Sequence, residues 1–317
     1  MKTLLFAALA AVGAGADEPP TLRIGESRIE MLVSGTPSVS QAELREWVHD
    51  AARAVTTYYG RFPVPRVRLK VRAGGRGRVR SGVTYGGELP TIRITVGEAT
   101  TRADLDKDWI LTHEMVHLAF PDLDSDYSWL GEGLATYIEP IARARIGKLD
   151  ETEVWQGLVE GLPQGLPGPN DGGLDGTRAW GRKYWGGALF CLLTDVKIRE
   201  KTDGRRGLED ALRSVLTSGG DVRLRWPLDL TLKTGDEATG ASVLVPLHLR
   251  FGERPVRIDL ASLWKKLGVL QQDGEIAFDD AAPAAATRRA LTRRDSSAGG
   301  VELEWNFAPP LAGLVGR

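Results

Sequence analysis

The sequence predicts an α+β protein, with a β-rich N-terminal lobe followed by a helical lobe. Three observations lead there. Short apolar–polar alternations broken by Gly and Pro fill residues 17–100, the pattern of strands and turns. Helical periodicity dominates residues 101–294. At the junction, His113-Glu114-Met115-Val116-His117 lies in an amphipathic stretch, and Trp129-Leu130-Gly131-Glu132-Gly133-Leu134-Ala135-Thr136-Tyr137-Ile138-Glu139 opens a second helical pattern soon after it.

Taken in order, residues 1–16 read as an export signal: Lys2 is a basic start, Leu4 to Val12 an apolar run, and Ala14-Gly15-Ala16 a cleavage site. That run is too short to span a bilayer and no later segment approaches the length needed, so the expectation is a protein exported to a bacterial periplasm or the extracellular space, without a membrane span. Leu22 to Val33 reads as one or two strands and Ser40 to Tyr59 as a helix capped by Ser38 or Ser40. Arg66 to Arg72, Val79 to Tyr85 and Thr91 to Val96 read as strands. In the next helix Leu105, Trp109, Ile110, His113, Val116, His117 and Phe120 recur at three- and four-residue steps, behind Asp104 and Asp106 near its start, and Pro121 ends it. The Glu132 helix follows. Gly157 through Gly176 is dense in Gly and Pro and reads as a loop that either lines the cleft or crosses the surface. Lys183–Thr202, Gly207–Leu216 and Ser262–Leu267 read as helices, the last stopped by Gly268, and Leu228–Leu249 is also read as helical. Ala282–Arg294 is the expected last helix. Residues 295–317 are weakly patterned, so a poorly ordered tail is expected.

Forty-one basic residues against forty-two acidic ones give a formal charge of −1, which argues against dedicated nucleic-acid binding. The basic run Arg66-Val67-Arg68-Leu69-Lys70-Val71-Arg72, with Arg76, Arg78 and Arg80 beyond it, alternates strictly and reads as a strand with an apolar inner face and a solvated cationic outer one. By charge alone, anionic envelope polymers are conceivable partners for it. The single cysteine, Cys191, allows no internal disulfide and reads as a small core residue.

The chemistry centres on HEMVH. A helix turns 100° per residue, so histidines four apart sit about 40° apart on one face and roughly 6 Å apart along the axis, within reach of one ion. The intervening Glu114 can touch a water on that ion. The chain has only four histidines, at 49, 113, 117 and 248, so two of them bracketing a glutamate in this register are poorly explained by chance. Catalytic zinc usually takes three protein ligands and keeps a fourth position open. A third histidine in the HExxHxxGxxH pattern is excluded, because Phe120 and Leu123 stand where Gly and His are required. His49 and His248 are remote and carry no motif. A downstream carboxylate is therefore expected, with Glu132 preferred and Asp122, Asp124 and Asp126 as rivals in a turn-rich loop. Thr136 and Glu139, four and seven residues beyond Glu132, lie on the same helical face. They are candidates to orient a ligand histidine through its free ring nitrogen, or ordinary polar helix positions.

HEMVH followed by WLGEGLATYIE resembles the gluzincin metallopeptidases, in particular the membrane alanyl aminopeptidase clan and its shorter peptidase MA-like relatives. The resemblance implies a gluzincin, thermolysin-like zinc-peptidase fold, with zinc on His113, His117 and Glu132 and with Glu114 as general base. Leu118 to Gly131 makes fourteen residues between ligands, a shorter loop than in the long-chain aminopeptidases. Tyr184-Trp185-Gly186-Gly187-Ala188-Leu189-Phe190 is similar to the segment whose tyrosine stabilises the oxyanion in that clan, although the lysine often found two positions after it is missing. Tyr184 is the candidate for that role, with a core tyrosine as the alternative. Tyr85-Gly86-Gly87-Glu88-Leu89-Pro90 stands where the clan carries its amine-binding GxMEN segment, without the Met and Asn. By that likeness Gly87 and Glu88 are candidate substrate-binding residues, Glu88 as amine anchor or as a simple loop glutamate. The strand that follows, Thr91–Val96, is expected to offer an edge for a peptide. The resemblance thus implies an exported zinc metallopeptidase acting on a peptide or protein, with aminopeptidase and endopeptidase both open. The rival is an exported binding or scaffold domain that keeps the zinc fold without turnover.

Overall fold

A computed structural model describes residues 19–295 and 302–306. The expected export signal, residues 1–16, lies outside the described residues.

The sheet has six strands in the order β4-β5-β3-β2-β1-β8, built from β1 (Thr21–Ile24), β2 (Ser27–Ser34), β3 (Arg66–Ala73), β4 (Val79–Tyr85), β5 (Thr91–Val96) and β8 (Leu303–Asn306). The β2–β3 and β3–β5 pairs are parallel and the others antiparallel. A parallel pair needs a crossover, and α1 (Gln41–Tyr59) supplies it between β2 and β3. Ser40 caps α1: its side chain accepts from the Glu43 amide, and Glu43 returns the bond to the Ser40 amide. Gly60, at φ 78°, ends it. Alternation then sorts the sheet faces. Ile29, Met31, Val67, Leu69, Val71, Ile92 and Ile94 point inward against Leu44, Val48, Val55 and Tyr58 of α1, while Arg66, Lys70, Arg72 and Arg93 face outward.

The helical lobe follows as α2 (Arg102–Asp106), α3 (Ile110–His117), α4 (Ser128–Arg145), α5 (Glu151–Gly161), α6 (Gly187–Lys201), α7 (Leu208–Thr217), α8 (Leu228–Thr239), α9 (Leu244–Phe251) and α10 (Leu260–Leu267). A hairpin of β6 (Val269–Gln272) and β7 (Glu275–Phe278) and a last helix, α11 (Ala285–Thr292), complete it. A buried ionic network joins three of these helices. Asp195 and Glu209 both hold Arg199, Arg145 reaches Glu209, and the Tyr137 hydroxyl donates to Asp195. Cys191 is fully buried beside it, and burial pushes its thiol pKa up. No helix among the described residues is long and apolar enough to cross a membrane.

Several expectations are corrected. The single helix expected from Asp104 to Phe120 is two, because the half-buried Asp108 carboxylate takes the Ile110 and Leu111 amides and the Trp47 indole N–H, starting a new helix at Ile110. Residues 228–249 likewise form two helices, since Asp236 collects the Val243, Leu244 and Val245 amides behind Gly240 at φ 66°. The Gly157–Gly161 part of the expected loop is the end of α5. Within the expected tail, Leu303 and Trp305 pack on the core and Leu303–Asn306 pairs with β1. The strand Thr91–Val96 lies inside the sheet, between β3 and β4; the edge is β4.

Candidate metal centre and its cleft

α3 carries His113, Glu114 and His117, and α4 crosses it to bring Glu132 opposite. His113 Nε2 lies 3.3 Å and His117 Nε2 3.5 Å from Glu132 Oε2, and the three ligand atoms fall within 4.8 Å of one another. Zn–N and Zn–O bonds of about 2.0–2.2 Å in tetrahedral array place neighbouring donors about 3.3–3.5 Å apart. The two imidazole–carboxylate distances match that edge. Two imidazoles and one carboxylate are also a donor set of catalytic zinc, so the residues fit the ion. Among the described residues this is the only such cluster of three. The rivals Asp122 and Asp124 are outside the cluster and pair with Arg225 at 2.8 and 3.3 Å.

Electrostatics binds the three groups together. Burial would raise the Glu132 pKa, but the two histidines outweigh it and hold the carboxyl well below the usual range. His113, 4% exposed, is pushed down by burial, whereas at His117 burial is outweighed by Glu132 and Glu114 and the pKa rises.

Two close contacts set the remaining groups. A Cβ on Gly133 would sit 2.3 Å from Gly187, so α4 and α6 touch backbone to backbone at this pair of glycines. That contact carries Tyr184, on the π-helical turn Arg182–Gly186 leading into α6, to the three candidate ligands. Its ring stacks on His113 at 5.9 Å and 11°. Burial first, then the Glu132 charge, raises the phenol pKa and keeps it a donor. On the other side, a Cβ on Gly82 would meet Glu114 Cγ at 2.5 Å and Glu114 Oε1 at 2.8 Å. The glycine lets β4 run directly over the glutamate. Thr84, two residues on, places its hydroxyl 2.7 Å from Glu114 Oε2 and 2.8 Å from the Glu114 carbonyl oxygen.

The other candidates are placed as follows. Glu139 gives its carboxylate to Arg143 at 2.9 Å rather than to a histidine, and burial lifts its pKa to about 7. Thr136 Oγ1 and His113 Nδ1 are both buried without a hydrogen-bond partner. Gly87 lines the cleft, while Glu88 is exposed and is not part of its wall. His248 belongs to a separate group, paired with Asp175 at 3.1 Å and stacked on Trp129.

The cleft beside His117 encloses about 660 Å³, walled by β4 from Gly82, by Glu114, Glu132 and Tyr184, and by the strap Val222–Arg225. The strap is tied to the chain after α3 by Val222 N to Leu118 O and Asp122 N to Leu224 O, and it meets the chain just past β4 at Gly86, where a Cβ would lie 2.3 Å from Val222 O. Reading the sequence missed Gly82, Thr84 and this strap. Gly82 had a signal, a glycine inside an alternating strand, which marks close approach of another group; the strap had none.

Among solved structures, the aminopeptidase N family protein from Idiomarina loihiensis aligns with a TM-score of 0.58 at 14% identity, over 79% of this chain and 50% of that one. The chain shares that protein's α+β fold. An M1 zinc metallopeptidase from Deinococcus radiodurans aligns at 0.47 and 19% identity, over 76% of this chain and 53% of its own. This chain thus spans about half the length of the solved structures it matches. No protein-family model matches it, and neither does any curated protein.

Proposed function

We propose that this protein is an exported zinc metallopeptidase that hydrolyses peptide bonds. The observation that supports it most is the convergence of His113, His117 and Glu132 on one point, with Glu114 held beside them by β4. Zinc held there would supply Lewis acidity, lowering the pKa of water towards neutrality and polarising a carbonyl. Glu114 takes the proton of the attacking water and returns it to the leaving amine. Tyr184, kept protonated by burial, donates to the developing oxyanion. β4, an edge strand along the cleft wall, offers its free backbone groups to an extended peptide. The fold shared with an aminopeptidase N family protein agrees with this chemistry.

The test is metal content and cleavage of a quenched peptide library by the purified protein and by Glu114→Gln. About one zinc per chain in both, with turnover reduced by about 10²–10⁴ in the variant, is expected. Zinc binding with no Glu114-dependent cleavage would sink the enzyme reading in favour of a binding domain.

A further inference from the structure

The face of the sheet turned away from α1 carries a charge pattern that the reaction does not use. Alternation along β2, β3 and β5 sends Arg28, Arg66, Arg68, Lys70, Arg72 and Arg93 to that face. Register then sets them side by side, with Arg28 opposite Arg66 and Lys70 opposite Arg93. Strand rise and spacing hold the six within a patch of roughly 14 by 20 Å. Strands β2 to β5 offer this face one acid, Glu30, shared by Arg66 at 2.5 Å, Arg68 at 3.7 Å and Arg28 at 3.8 Å. At the far side Arg23 and Glu304 stand opposite each other and cancel. Among the described residues Lys70 and Arg72 have no ion-pair partner.

Apolar groups flank the cations. Leu32 lies opposite Lys70 and Val83 opposite Arg93, so one row across four strands reads Leu32, Lys70, Arg93, Val83. Leu32 is 38% and Val83 47% exposed. Tyr85, two residues beyond Val83, is exposed as well, with the Arg93 guanidinium 4.8 Å from its ring centroid. Like charges directly opposite one another weaken a sheet. In a chain of formal charge −1, six cations on one face are a local concentration, and an anionic surface laid over them relieves the repulsion. The exposed aliphatic and tyrosine side chains select the kind of surface. A polynucleotide offers phosphates alone, whereas a bilayer interface offers phosphates with an acyl boundary beneath, where Leu, Val and Tyr gain by burial while Lys and Arg reach the headgroups.

We propose that this face docks the protein peripherally on an anionic phospholipid bilayer, its ammonium and guanidinium groups on lipid phosphates and Leu32, Val83 and Tyr85 at the acyl boundary. β4 links the docking face to the cleft. Its Gly82 and Thr84 meet Glu114, and the alternate residues Val83 and Tyr85 belong to the docking face, so the bound protein holds its cleft beside the bilayer. Docking does not depend on the peptidase reading, and its test reads binding alone.

The test is sedimentation of the full chain with vesicles of equal phosphatidylglycerol and phosphatidylcholine, against vesicles of phosphatidylcholine only, in about 0.1 M salt. Binding should be at least about tenfold tighter to the anionic vesicles and should weaken as salt rises. One basic residue near such a surface is worth about fivefold in binding. Lys70→Gln alone should therefore weaken binding about fivefold, and Lys70→Gln with Arg72→Gln and Arg93→Gln about 100-fold. Lys233→Gln with Arg250→Gln and Lys265→Gln removes the same charge from exposed positions on the helical lobe and should change little. Leu32→Ser should weaken binding with the charge unchanged. Equal binding to both vesicles, or none to either, overturns the proposal, as does an equal loss in the sheet and helical-lobe triple variants. A single-stranded 20-nucleotide DNA that binds more tightly than the vesicles, and is lost with the same sheet residues, makes this a polynucleotide face and overturns the membrane assignment. Circular dichroism melting checks that each variant is folded, and the single Lys70→Gln change decides the matter if the triple variant is not.

Discussion

The two flanks of the HEMVH helix differ as sharply as two parts of one site can. On the His117 side the cleft is wide and mixed in character, framed by an edge strand, Glu114, Asp122 and the arginine-bearing strap. On the His113 side the cavity is smaller and walled by indoles. One turn of helix separates the two histidines, yet burial drives the pKa of His113 down while carboxylates hold that of His117 up. The division teaches that the carboxylates able to move protons gather on one flank and an aromatic, apolar wall on the other. Tyr184, which lines both, stands on the seam, with Glu132 next to it on the cleft side.

The largest effect is expected at the seam. On the proposed reading Glu132→Ala removes one of three ligands, so zinc affinity should fall by more than the roughly 10–100-fold typical of losing a residue that only supports a ligand. Metal titration measures it, and wild-type affinity in this variant would remove Glu132 from the centre. Tyr184→Phe keeps the stacked ring and deletes the donor. Turnover should drop by about 10²–10³ with zinc retained, and an unchanged kcat would return Tyr184 to a packing role.

A smaller effect tests the dry flank. The Glu139 pKa is raised from 4.5 to about 7, so between these values the native state keeps a proton that the unfolded chain releases. Stability should therefore fall as pH rises through that window, by up to about 3 kcal/mol, and level off above it. Glu139→Gln should lack this slope in denaturant titrations at pH 5 and 8; parallel curves for the two proteins would contradict the buried, proton-holding Glu139.

The smallest effect belongs to the wet flank. Thr84→Val deletes the hydroxyl 2.7 Å from the Glu114 carboxylate without changing its shape much. One charge-assisted hydrogen bond is worth about 1.5–3 kcal/mol, so a fall in kcat of about tenfold or somewhat more is expected, with KM and zinc binding little changed. Thr84→Ser should restore most of it. Equal activity in all three would show that β4 holds Glu114 through Gly82 packing alone.

Much of this was legible in local pattern. Strand alternation located β3, β4 and β5 because side-chain direction in a strand reverses every residue, and helical spacing put His113 and His117 on one face whatever surrounds them. The Ser40 and Gly268 helix boundaries follow from capping chemistry alone. Where local reading failed, a carboxylate captured backbone amides inside an apparently continuous helical pattern: Asp108 split one expected helix by binding the next amides and a distant indole, and Asp236 split another by binding amides seven to nine residues on. Glu139 sat on the right face, but Arg143, one turn further along, claimed its carboxylate.

The sequence by itself determined the α+β class, the helix that presents two imidazoles and a glutamate, and the carboxylate worth testing as their partner, because helix and strand periods are properties of neighbouring residues. Only the tertiary structure decided that β4 rather than β5 is the edge, that Thr84 meets Glu114, that a strap from residues 222–225 closes over Gly86, and that Trp109 and Trp180 open onto one cavity. These are meetings of segments far apart in the chain. They depend on strand order and on the close crossing of α4 and α6 at Gly133 and Gly187, which no local periodicity encodes.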